Sequence, residues 1–479
     1  MAKDKNEFVN QIADIDTDFP QWYTDVVLKT ELVDYGPVKG TMVIRPYGYA
    51  IWELIQQQMD ARFKATGHVN GYFPMLIPQS FLMKEAEHVE GFAPEVAWVT
   101  KGGTEELAEP LVIRPTSETI ICDMYAKWTQ SWRDLPLKIN QWCNVVRWEK
   151  TTRPFLRTSE FLWQEGHTIH ATEEEATAEV MQMLDVYRDF AENVLAMPVF
   201  VGQKSEKEKF AGAVATYSME AMMKDGKALQ AGTSHNLGQH FSQAFNIKFL
   251  DKDGSLKYVW QTSWGTSTRL IGGLIMTHGD KRGLALPPKV APIQVVILPI
   301  AAFKPGVTEK AREVAETLKA AGVRVYLDDS DNSAGWKFNQ WEMKGVPIRL
   351  EIGPRDIENG CCVIARRDNF EKKTLPLAGL AETIPAELDS VQKGMYERAL
   401  AFREAHTVEA HDRASLIAAV NEGKFVRAMW CGERECEEQL KRETGISTRN
   451  MPFGAEPIDE VCACCGKKAK HVMYFAKAY

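Results

Sequence analysis

Arg147-Trp148-Glu149, a loop from Lys150 to Leu156, and then Arg157-Thr158-Ser159-Glu160-Phe161 make up the most telling run of this chain. The alternation of strand side chains predicts that Arg147 and Glu149 point the same way. A second Arg follows the loop, and an aromatic ring lies four residues beyond it. Two guanidinium groups, a carboxylate and a flat ring on one hairpin complement a bent ATP. Arginine matches phosphate oxygens bidentately, and a ring can stack on adenine. The same run also reads as an ordinary charged hairpin with one core Phe, so its neighbours must decide.

The chain has 479 residues, enough for about two to four domains. No apolar run approaches the ~18 residues of a membrane span. The polar start, Met1-Ala-Lys-Asp-Lys-Asn-Glu, has no apolar signal core. The expected location is cytoplasmic. A net charge of −8 argues against a coat of positive charge for indiscriminate nucleic-acid binding. It leaves room for a specific RNA on local basic patches, such as Arg366, Arg367, Lys372 and Lys373, or Lys467, Lys468 and Lys470. Of nine cysteines, Cys122, Cys143, Cys361 and Cys362 read as small core residues.

Leu54, Ile55, Met59 and Phe63 share a helical face that Gly67 can end. Tyr72 to Pro78 reads as a strand with two prolines, and Pro74 belongs at an edge or interface. Glu173 to Val194 reads as a helix with Thr172 as its N-cap. Val259 to Ser267 and Arg269 to Met276 read as a strand and a helix. Leu286 to Pro292 holds three prolines, a stiff linker and a domain boundary. Beyond it strands at 294–300, 323–327, 347–352 and 361–366 alternate with helices at 308–321 and 333–344, the pattern of a small wound sheet. From about residue 384 the chain turns helical and charged.

Three further segments bear on the hairpin. Arg114-Pro-Thr-Ser-Glu118 puts a hydroxyl and a carboxylate on one turn, fit for a substrate ammonium or for a helix start with Thr116 as cap. Gln230-Ala-Gly-Thr-Ser-His235 is too polar for a core strand. It reads as a ligand-contacting wall or a plain loop. Thr262 to Arg269 precedes an apolar helix, with small residues that allow close approach and an Arg where phosphate would gather.

Together these segments resemble the class II aminoacyl-tRNA synthetases, and within them the prolyl-tRNA synthetases of the compact type shared by archaea, eukaryotes and some bacteria. The resembling runs are the segment ending in Pro74; Arg114 to Glu118; Arg147 to Glu149 with Arg157 to His167; Thr233 to His235; and Thr262 to Arg269. The resemblance spans nearly the whole chain. It implies an α+β catalytic domain with an antiparallel sheet over residues 1–285, an α/β anticodon-binding domain over 286–383, and a small zinc-containing α/β domain over 384–479. It implies that proline and ATP give prolyl-adenylate, that the prolyl group then passes to tRNA(Pro), and that Mg2+ accompanies the ATP. Arg147 and Arg269 would be catalytic. ATP would meet Arg147, Glu149, Arg157, Phe161, Gln230, Thr233 and Arg269. Proline would meet Thr116, Glu118, Arg147, Phe92, Trp163, His167, His235 and Ser267. Glu351, Arg355, Arg366 and Arg367 are candidates for reading guanine edges in the anticodon. A homodimer through the Pro74 region follows by the same likeness. The 100 residues between Phe161 and Thr262 are too few for the editing insertion of bacterial-type relatives, so no editing domain is expected.

The tail carries an independent signal. Cys431-x4-Cys436, then 25 residues, then Cys462-x2-Cys465-Gly466 is zinc-site spacing with four thiolates and a structural Zn2+. Cys464, adjacent to Cys465, competes for the same metal. Two rivals remain at this stage: a paralogue that binds a tRNA-like partner without catalysis, expected to lack Arg147, Glu149 or Arg269, and a zinc-containing RNA-binding protein that would not need the proline-pocket runs.

Overall fold

The computed structural model describes residues 12–84 and 96–479. Helix α1 (Phe19–Lys29) starts where the Asp18 side chain accepts from the Gln21 N–H, with a proline in its first turn, where the missing donor costs little. Helix α2 (Pro46–Ala65) buries Ile51, Trp52, Ile55, Met59 and Phe63, so the 54–63 face belongs to a longer helix. The strand expected over Tyr72–Pro78 shrinks to Leu76–Pro78. The Phe73 N–H instead donates to the Gln141 side chain at 3.0 Å, and Pro74 has no donor to offer.

The central sheet comprises β1 (Val69–Asn70), β2 (Leu137–Val146), β3 (Glu160–His170), β4 (Val199–Gln203), β5 (Ala215–Met222), β6 (Ala228–Gly238) and β7 (Trp260–Ser267), in lateral order β4-β5-β6-β7-β3-β2-β1. Neighbours are antiparallel except β1 beside β2. One face is covered by α2 and by α4 (Glu173–Asn193); α3 (Glu118–Trp128) lies earlier in the chain. Thr172 caps α4 by accepting from the Glu175 N–H at 3.2 Å. Trp264 is buried on this face against Phe63 and Tyr187. Gly166 makes that possible, because a Cβ there would stand 2.1 Å from the indole. Alternation then sends Ser263, Gly265 and Ser267 to the opposite, open face. Helix α5 (Arg269–His278) follows β7 directly.

The opening run departs from its expected form. β2 ends at Val146, so Arg147 to Glu149 do not lie on a strand. The Arg147 N–H makes one further bond to Ser159 O at 2.9 Å, and the Glu149 N–H then turns back onto Arg147 O at 2.7 Å. Those local turn bonds replace the ladder and carry the chain out of the sheet. The loop beyond is pinned by paired Arg153–Arg157 backbone bonds and by the Tyr23 hydroxyl, which donates to Pro154 O at 2.7 Å.

The second domain has a five-stranded sheet of β8 (Val295–Pro299), β9 (Val325–Leu327), β10 (Ile348–Ile352), β11 (Cys361–Arg366) and β12 (Lys372–Pro376), ordered β9-β8-β10-β11-β12. β8, β9 and β10 run parallel, β11 runs antiparallel to β10, and β12 is antiparallel to β11 in turn. Helices α6 (Val307–Ala320) and α7 (Ala334–Met343), the latter capped by Ser333, are the domain's longer helices, and a short helix spans Pro354–Glu358. The proline run is no free spacer: Arg324 donates to Ala291 O and Pro288 O at 2.8 and 2.7 Å.

Two of the residues expected to read the anticodon are held within the protein. Arg366 and Arg367 are 6% and 4% exposed. Arg367 grips Asp280 with two bonds of 2.7 Å and donates to Glu342 O. Arg366 is forked onto Asp368 at 2.9 and 3.0 Å. Arg367 thereby ties the second domain to the catalytic domain, while Arg366 is held by Asp368 and by the Ser390 hydroxyl.

Helix α8 (Leu380–Ala405) leads into β13 (Thr407–Ala410), α9 (Arg413–Asn421), β14 (Phe425–Trp430), α10 (Arg434–Thr444), β15 (Ser447–Thr448), β16 (Met451–Pro452) and β17 (His471–Ala476). The last sheet is ordered β13-β14-β17-β15, while β16 leaves it and pairs antiparallel with β4. A Cβ on Gly202 would meet Met451 O at 2.2 Å, so only glycine permits this edge. Tyr479 folds back as well: its hydroxyl donates to Asp225 at 2.6 Å and its N–H to Ala228 O at 3.1 Å.

Candidate active site

Register alone assembles the floor of a cavity on the open face. His167, Ser263, His235 and Thr216 align across β3, β7, β6 and β5; Glu165, Gly265 and Thr233 form the next row, and Trp163 stands opposite Ser267. Small side chains on the middle strand leave room between larger ones. The cavity measures ≈ 290 Å³. Of the candidates, Thr116, Glu118, Arg147, Phe161, Trp163, His167, Gln230, Thr233, His235, Ser267 and Arg269 all line it. Glu149 and Arg157 are not among its lining residues; they pair with each other at 3.2 Å. Phe92 lies outside the described residues.

One end is anionic. Thr116 and Glu118 are 2% and 3% exposed, and the Thr116 hydroxyl donates to Glu118 at 2.5 Å. The alternative of Thr116 as cap does not apply, since Ser117 holds that position without a capping bond. Behind them Glu165 accepts from the Ser117 hydroxyl, from Gln141 at 2.6 Å and from His167 at 3.0 Å. Burial pushes the Glu165 carboxyl up, but the bond and charge of His167 outweigh it and hold the carboxyl below its ordinary value. Burial likewise lowers His167, and the bond and charge of Glu165, with Glu118 behind, carry it above. His235 is lowered to about 3 by burial and then by the His167 charge. The His235 imidazole is therefore neutral, with its Nδ1 2.9 Å from the Thr216 hydroxyl.

The other end is cationic. Arg147 Nε donates to Pro115 O at 3.0 Å, and its guanidinium lies 5.5 and 5.6 Å from the Phe161 and Trp163 rings. Arg269 Nε donates to Leu156 O at 2.9 Å. Burial, then the positive charges of Arg157 and Arg147, lower Arg269 to about 10. Guanidinium groups crowded this way gain most from an anion between them. A zwitterion's ammonium at one end and a polyphosphate at the other suit this polarity.

Sequence reasoning passed over Glu165, although it sits at the alternate position between Trp163 and His167 and shares their face. It also passed over Glu208, Phe210, Thr216 and Ser263, which line the cavity too. Nothing local to Glu208 or Phe210 marks them, because their loop reaches the cavity only through tertiary packing.

In the last domain the Sγ atoms of Cys431, Cys436, Cys462 and Cys465 lie within 4.8 Å of one another. Cys436 and Cys462 are 3.9 Å apart, Cys431 and Cys465 3.7 Å. Ligands ~2.3 Å from a central tetrahedral ion would be about 3.8 Å apart, so the set fits a four-thiolate site. Cys464 is buried outside this set of four. In the second domain Arg355 is exposed, and Glu351 pairs with Arg349 at 2.9 Å.

An antiparallel sheet backed by helices, with an amino-acid-sized anionic end and an arginine-lined end on its open face, defines a class II aminoacyl-tRNA synthetase core. Residues 98–278 match the model of the tRNA synthetase class II core domain (G, H, P, S and T), residues 294–387 the anticodon binding domain, and residues 414–479 the prolyl-tRNA synthetase C-terminal domain. The chain is 63% identical to the proline–tRNA ligase of Alkaliphilus oremlandii and 62% identical to that of Acetoanaerobium sticklandii, each over the full length of both chains. It is 43% identical to the crystal structure of prolyl-tRNA synthetase from Cryptosporidium parvum complexed with halofuginone and AMPPNP, with a TM-score of 0.94 over 100% of this chain and 99% of that one. The chain belongs to the prolyl-tRNA synthetase family, and the reaction it catalyses is proline–tRNA ligation.

Proposed function

We propose that the polarised cavity divides the work of this ligation between its two ends. The opposite charges of those ends carry the reading. Thr116 and Glu118 accept from the secondary ammonium of proline, while Trp163, His167 and His235 wall its ring and Ser267 lies beside them. Arg147 holds the proline carboxylate against the α-phosphate. Phe161 stacks on adenine, Gln230 and Thr233 border the nucleotide, Glu149 and Arg157 flank it, and Arg269 takes the γ-phosphate. The carboxylate oxygen attacks the α-phosphorus and pyrophosphate leaves. The terminal ribose hydroxyl of tRNA(Pro) then takes the prolyl group and AMP leaves. Positioning and charge stabilisation do most of this. Mg2+ enters with the nucleotide as its phosphate counter-ion and would offset charge on the leaving group.

Proline-dependent exchange of pyrophosphate into ATP tests the reading. Glu118→Gln is expected to raise the KM for proline by ~10-fold or more, since it removes an ionic acceptor from a buried site, with the KM for ATP within about twofold. An unchanged proline KM would remove Glu118 from the amino-acid end.

The finer assignments follow from the same reading. The chain is of the compact type without an editing insertion, supported by the short interval between Phe161 and Thr262. The units are a catalytic domain over 1–285, an anticodon domain over 286–383, with Glu351 and the exposed Arg355 toward tRNA, and a metal-bearing domain over 384–479. Val69, Tyr72 and Leu76 expose 60%, 72% and 40% of their surface around Pro74, which supports a homodimer through that region. No helix of the described residues is long and apolar enough to cross a membrane, in keeping with a cytoplasmic enzyme. The four cysteines hold Zn2+ and tie α10 to the 462–465 turn. Chelation of purified protein should release about one zinc per chain and lower the unfolding midpoint of the C-terminal domain; protein purified free of metal, with an unchanged midpoint, would end that assignment.

A further inference from the structure

Helix α10 of the C-terminal domain contacts a segment whose Glu208 and Phe210 line the cavity. β16 first extends the central sheet at β4, next to the segment that begins at Lys204. Lys204 and Arg449 both grip the buried Glu220, at 2.6 and 2.9 Å. One turn of α10 then adds two holds on the same segment. Glu437, 2% exposed, accepts from Ser205 at 3.1 Å and from Thr448 through one oxygen. Its other oxygen has no hydrogen-bond partner among the described residues. Such a carboxylate costs stability, so its value is sought in what it holds. Four residues on, where a helix presents the same face, Lys441 pairs with Glu208 at 3.1 Å. Between these holds Ser205 closes a turn: its hydroxyl and carbonyl both accept from the Glu208 N–H, at 3.2 and 3.1 Å. That turn delivers Glu208 and Phe210 to the cavity. The Phe210 ring packs 4.7 Å from the His235 ring, and its N–H donates to Thr216 at 2.9 Å.

We propose that α10 is a positioning element for proline: Glu437 and Lys441, acting through Ser205 and Glu208, set the Phe210 wall against His235. None of the four is a catalytic residue. A looser wall weakens the fit to a small ring and leaves the nucleotide end alone. The inference rests on the assignment of the Thr116–His235 end to proline. Loss of that assignment would appear separately as an unchanged proline KM in Glu118→Gln.

The test is pyrophosphate exchange with Ser205→Ala, Lys441→Met and Lys441→Arg in the full chain. Lys441→Met should raise the proline KM about three- to fivefold and Ser205→Ala at least as much. Alanine should be rejected less well by a similar factor, with kcat and the ATP KM within about twofold. Lys441→Arg should restore the wild-type value, because it keeps the charge toward Glu208. Unchanged proline KM values in both variants would overturn the proposal. So would equal losses in the proline KM, ATP KM and kcat, which would mean general unfolding of the site.

Discussion

Arg147→Ala is expected to reduce proline-dependent pyrophosphate exchange by roughly 10²- to 10³-fold while the protein stays folded. The residue stands where the two ends of the cavity meet, with its guanidinium near Phe161 and Trp163 and its Nε tied to Pro115 O. Removing one aligned donor from a preorganised site costs about that much in rate. The fold should survive because the backbone bond from the Arg147 N–H to Ser159 O needs no side chain. Arg157→Ala offers the contrast. It faces Glu149 and solvent, with 48% of its side chain exposed, so its effect should fall on the KM for ATP. Exchange kinetics and a denaturation midpoint decide the matter. Near-wild-type exchange in Arg147→Ala would refute the role given to it.

Glu165→Gln should cost roughly 3–5 kcal/mol of stability, the usual range for removing one partner of a buried pair. The carboxylate accepts from Ser117, Gln141 and His167, and an amide would turn a donor toward at least one of those donors. The pH dependence follows in sign from the two shifts. Glu165 is held below its ordinary 4.5, so its contribution is present above that value and is lost as pH falls through the lower folded value. His167 is raised above 6.5, so its contribution is present below 6.5 and is lost as pH rises through the raised value. The pair stabilises fully between about pH 4.5 and 6.5 and weakens on both sides. Denaturant midpoints across that range should show a broad maximum in the wild type and a flatter acid limb in Glu165→Gln. Superimposable profiles would show that the pair is not linked to stability.

Much of the site was legible because it rides on strands. Trp163 and His167 share a face by alternation, and Thr233, His235 and Ser267 reach the same floor once register is set. Glu165 was equally legible and was overlooked among residues read one by one. The ambiguous segment at Gln230–His235 proved to be a strand: Gln230, Thr233 and His235 line the cavity, while the Ser234 hydroxyl donates to Val180 O on α4. The anticodon candidates show what a charge run leaves open. Arg366 and Arg367 read as a basic patch, yet their partners, Asp368 and Asp280, include a carboxylate from another domain. Charge runs do not announce their ion pairs.

The sequence by itself determined which residue types stand at each point: arginines suited to phosphate, a hydroxyl and carboxylate suited to an ammonium, four thiolates at chelating spacing. Those are local properties of side-chain type and period. Only the tertiary structure decided which of them share one cavity, that Arg147 to Glu149 turn off the strand, and that the C-terminal domain adds a strand beside β4 and braces the Phe210 wall. Such contacts join residues more than 200 positions apart, as with Ser205 and Glu437. Their formation depends on packing and on paired buried charges, and neither has a local period.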